Sequence, residues 1–116
     1  MPDGVSDRQR LRAEQVFFDE VELGVRVANR EMIRARIPEL DRDKIHALAV
    51  MVGRLRASYL ELAFQMCAAG DGAAPETAIV ENLRERRLMF EEARDAYEAL
   101  RRAVERGYIE IPEFTG

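Results

Sequence analysis

Residues 45–69 read IHALAVMVGRLRASYLELAFQMCAA, and the spacing within them decides the fold. Ile45, Leu48, Val52, Leu55, Tyr59, Leu62 and Met66 follow one another at alternating steps of three and four. That is the seam of an α-helix packed along its whole length, because residues three and four apart share one face. Only Arg54, Arg56 and Glu61 carry full charge in this stretch, whereas the flanking segments are dense in Arg and Glu.

Working outward, Asp41 precedes the stretch as a good N-cap, with Asp43 favourable in the first turn. On the other side Gly70, Gly72 and Pro75 mark a turn. The helix should therefore cover about residues 42–69. Before it, Ser6 stands three residues ahead of Gln9, a capping-box pattern. Pro38 disfavours helix at the residue before it. A first helix is expected over about 6–36, with an inner stripe of Phe17, Phe18, Val21, Val25, Ala28, Met32 and Ala35. A second stripe, Val16, Leu23 and Val27, points nearly the opposite way.

After the turn, a third helix is expected over about 76–106, stopped by Gly107. Its seam is Ile79, Leu83, Arg86, Phe90, Ala93, Tyr97, Leu100 and Val104. Residues 107–116 then form a short tail that alternates apolar and acidic side chains around Ile109–Glu113. The expected fold is all-α: one domain over 1–116, built as an antiparallel bundle of three long helices with a short extended C-terminal tail.

Placed at 100° per residue, the polar strip of the second helix (Arg54, Ser58, Glu61, Gln65) spans only about 60°, leaving an apolar arc of about 220°. An ordinary surface helix needs a stripe of about 100°. Two neighbours in a three-helix bundle cannot readily cover such an arc. Leu60 and Phe64, with Val16, Leu23 and Val27 of the first helix, would stay in water. Each large side chain so exposed forgoes about 1.5–3 kcal/mol. Ala49, Gly53 and Ala57 recur every fourth residue and would let a partner helix approach closely. A homodimer through these residues is the expected remedy.

The charged residues suggest one polar locus. Pairing the second and third helices with 69 opposite 76 brings Arg56, Tyr59 and Arg86 together, and pairing across the first turn brings Glu22 within reach. Glu14 lies on the inner face about two turns away. The plain expectation is an ion-pair network that sets helix register. The functional one is an anion site, in which two guanidinium forks and a phenol hold a carboxylate or phosphate. Arg26, Arg30 and Arg34 make a further stripe on the first helix, read as a solvated charged face.

Other classes find little support. The net charge is −4, which opposes a general affinity for nucleic acid. The single His46 and the lack of any Glu-x-x-His pair leave no metal set, and no cofactor motif is present. Cys67 alone makes no disulfide framework, and its apolar helix suggests a buried, inert thiol. No stretch resembles a membrane span or a signal peptide, so a cytoplasmic protein is expected. Of the 18 basic residues only Lys44 is lysine, an arginine bias that suggests a bacterial source. The expected function is a non-enzymatic helical interaction protein (an adaptor, chaperone or assembly factor), homodimeric and contacting protein partners. The alternatives are an anion-binding protein or enzyme using the mid-bundle locus, and a weak nucleic-acid-binding regulator.

Overall fold

A computed structural model describes residues 3–68, 72 and 74–111, with side chains described from Ser6 onward. The protein is all-α, with three long helices: α1 (Asp3–Arg36), α2 (Arg42–Ala68) and α3 (Thr77–Glu105). Their 34, 27 and 29 residues give lengths of about 51, 41 and 44 Å. The chain forms two compact units. One contains α1 and residues 103–110; the other contains residues 40–102, that is α2 and most of α3, together with Ile111.

Local chemistry explains most boundaries. The Asp41 carboxylate accepts the backbone N–H of Lys44 at 2.9 Å, so Asp41 is the N-cap of α2. At the far end of α3, Gly107 adopts φ +75°, a left-handed conformation natural to glycine. The Gly107 N–H bonds the Val104 carbonyl at 3.0 Å and the Tyr108 N–H bonds the Ala103 carbonyl at 2.8 Å. Those two bonds are the Schellman pattern, and they satisfy carbonyls that the end of a helix leaves unpaired. Helix α1 differs from expectation at its start. It begins at Asp3, so Ser6 lies within the helix and does not cap it. At its other end Ile37 still bonds the Ile33 carbonyl, and Pro38 follows the break.

In the α2–α3 unit the two helices run antiparallel. Ser58 meets Arg86, and Tyr59 and Arg56 meet Phe90, so partner numbers rise on one helix as they fall on the other. The α2 seam is the packed one: Val52 and Leu62 are buried, while Ile45, Leu48, Leu55, Tyr59 and Met66 are half-buried. Opposite them, Ala93 is buried, and Leu83, Arg86, Phe90, Tyr97 and Leu100 are half-buried. Ile79, in the first turn of α3, is exposed. Ile111 is 3% exposed and completes this small core. The remainder of the expected tail, 112–116, lies outside the described residues, as do Ala69 and Gly70 after α2.

The α2 cap gives a direct check. Asp41→Ala removes the acceptor for Lys44 N–H and should lower stability by about 1 kcal/mol, read as a lower urea midpoint with unchanged slope.

Candidate functional site

In the first unit, α1 holds the end of the chain by its polar face. The Arg30 Nε–H donates to the Gly107 carbonyl at 2.6 Å, and the same guanidinium pairs with Glu110 at 3.2 Å. Asn29, Arg30 and Ile33 are the half-buried residues of α1. The Arg26 stem lies 3.4 Å from the place a Cβ would occupy at Gly107, so a larger residue there would press on it as well as strain the backbone. The Arg26–Arg30–Arg34 stripe is thus in part a clamp on residues 107–110, and not only a solvated face. Ile33, an apolar residue on the arginine side of the helix, was the one available sign of this contact.

The clamp leaves the other sides of α1 open. Every side chain from Ser6 to Ala28 is exposed. The stripe expected to face inward is bare, with Phe17 at 57% and Phe18 at 59% exposure, and Val21, Val25 and Met32 also exposed. The opposite stripe, Val16, Leu23 and Val27, is exposed as anticipated. Periodicity identifies an apolar stripe correctly but does not say what covers it.

Helix α2 repeats the situation on its second face. Leu60 and Ala57 are exposed, and Phe64 is 72% exposed. Ala49 and Gly53 are half-buried, and nothing lies within 4 Å of a Cβ built at Gly53. Cys67 falls on this side and is exposed, not buried as its apolar neighbourhood suggested.

The polar locus is partly assembled. Arg86 donates to the Ser58 carbonyl at 3.0 Å, Arg56 lies 5.2 Å from the centre of the Phe90 ring, and Tyr59 stacks on that ring at 6.3 Å. Arg94 covers Phe90 as well, at 5.5 Å. Phe90 is therefore the hub, a part that counting charges did not reveal. Among the described residues neither Arg56 nor Arg86 forms an ion pair. Glu14 and Glu22 belong to the α1 unit. Glu14 is exposed, and Glu22 lines a hollow of about 450 Å³ with Val21, Val25, Arg26, Glu105, Arg106 and Tyr108.

His46 is exposed. No group of three or more His, Cys, Asp or Glu among the described residues could hold a metal ion. No helix among them is long and apolar enough to cross a membrane. Compared with known families, curated proteins and solved structures, the chain has no significant match to any of them.

The clamp can be tested by comparing its two bonds. Arg30→Leu leaves the Gly107 carbonyl without its charged donor and should cost about 1.5–3 kcal/mol. Glu110→Gln removes only a half-exposed ion pair and should cost less than about 1 kcal/mol. Equal losses in urea unfolding would mean that the ion pair, and not the carbonyl bond, holds the segment.

Proposed function

We propose that this protein is a non-enzymatic helical interaction protein, an adaptor, chaperone or assembly factor, that works as a homodimer and offers further helical surface to a protein partner. The observation that carries this reading is the unbroken exposure of α1 from Ser6 to Ala28, which includes Phe17, Phe18, Val21, Leu23 and Val25. In proteins most of a helix's stability comes from packing its apolar face. Contiguous apolar faces of this size mark association sites on small proteins.

Exposed apolar side chains on both α1 and α2, Phe17, Phe18 and Leu23 on the one and Leu60 and Phe64 on the other, support a second partner besides self. The arginines favour binding at neither polar locus, since Arg30 holds the chain end and Arg86 a helix carbonyl. We read both as packing devices that set geometry.

Light scattering on the purified chain at tens of micromolar tests the dimer, with an expected mass of twice 13.3 kDa. A mass of one chain across that range would refute the reading. A thermal-shift series with phosphate and dicarboxylates tests the anion-site alternative. The expected result is no stabilisation beyond that of matched ionic strength. A saturable shift abolished by Arg86→Met would favour the alternative.

A further inference from the structure

We draw no further inference here: the strongest candidate, the hollow of about 450 Å³ lined by Val21, Val25 and Tyr108 in the α1 unit, carries nothing because nothing in the structure shows what covers it.

Discussion

The feature of this chain on which the rest depends is how few large apolar side chains are buried among the described residues. Its buried apolar side chains among the described residues are Val52, Leu62, Ala93 and Ile111, and none of its large side chains is fully buried. Against these stand Phe17, Phe18, Leu23, Leu60 and Phe64 in water, each forgoing about 1.5–3 kcal/mol of burial. Folded domains are stable by only about 5–15 kcal/mol, so an uncovered balance of that size is decisive. A pair of helices with one narrow seam is a poor basis for an independent domain. That imbalance is the ground on which we propose association.

The polar side chains set the geometry within each unit. Arg30 fastens α1 to residues 107–110 through the Gly107 carbonyl and Glu110, using the arginine face of the helix. Val21 and Val25 line the hollow beside Tyr108 and remain partly in water, while Phe17 and Phe18 are more than half exposed. On the other unit, Arg56 and Arg94 both lie over Phe90 while Arg86 donates to the Ser58 carbonyl. These arginines cover apolar surface with their stems and planes. Their arrangement fixes register without requiring a buried charge, and the described residues hold no buried polar atom without a partner.

Much of this was legible in the residues themselves. The step-of-three-and-four seam of α2 is the packed face, Asp41 caps it, and Gly107 stops α3 in the left-handed conformation. The antiparallel register that sets 56 near 89 and 59 near 86 agrees with the Arg56–Phe90 and Ser58–Arg86 contacts. What sequence could not supply was the owner of each apolar face. Phe17 and Phe18 have the periodicity of a core stripe, yet they are bare, because periodicity reports that a face is apolar and not whose surface covers it. Cys67 was misjudged for the same reason. Ser6 matched a capping box but lies inside α1, since a helix continues wherever propensity allows and a cap residue alone does not start one. The Phe90 hub was hidden because an aromatic at a seam position looks like ordinary core.

If folding and association are one event, stability must depend on how much protein is present. The most direct measurement is the thermal unfolding midpoint, followed by circular dichroism over a hundredfold range of chain concentration. Mass action for an obligate dimer adds about 2.7 kcal/mol across that range, which should raise the midpoint by on the order of 5–10 °C. A midpoint that stays constant from the lowest to the highest concentration would contradict the account, because it would mean that one chain, with its aromatic stripe in water, folds unaided.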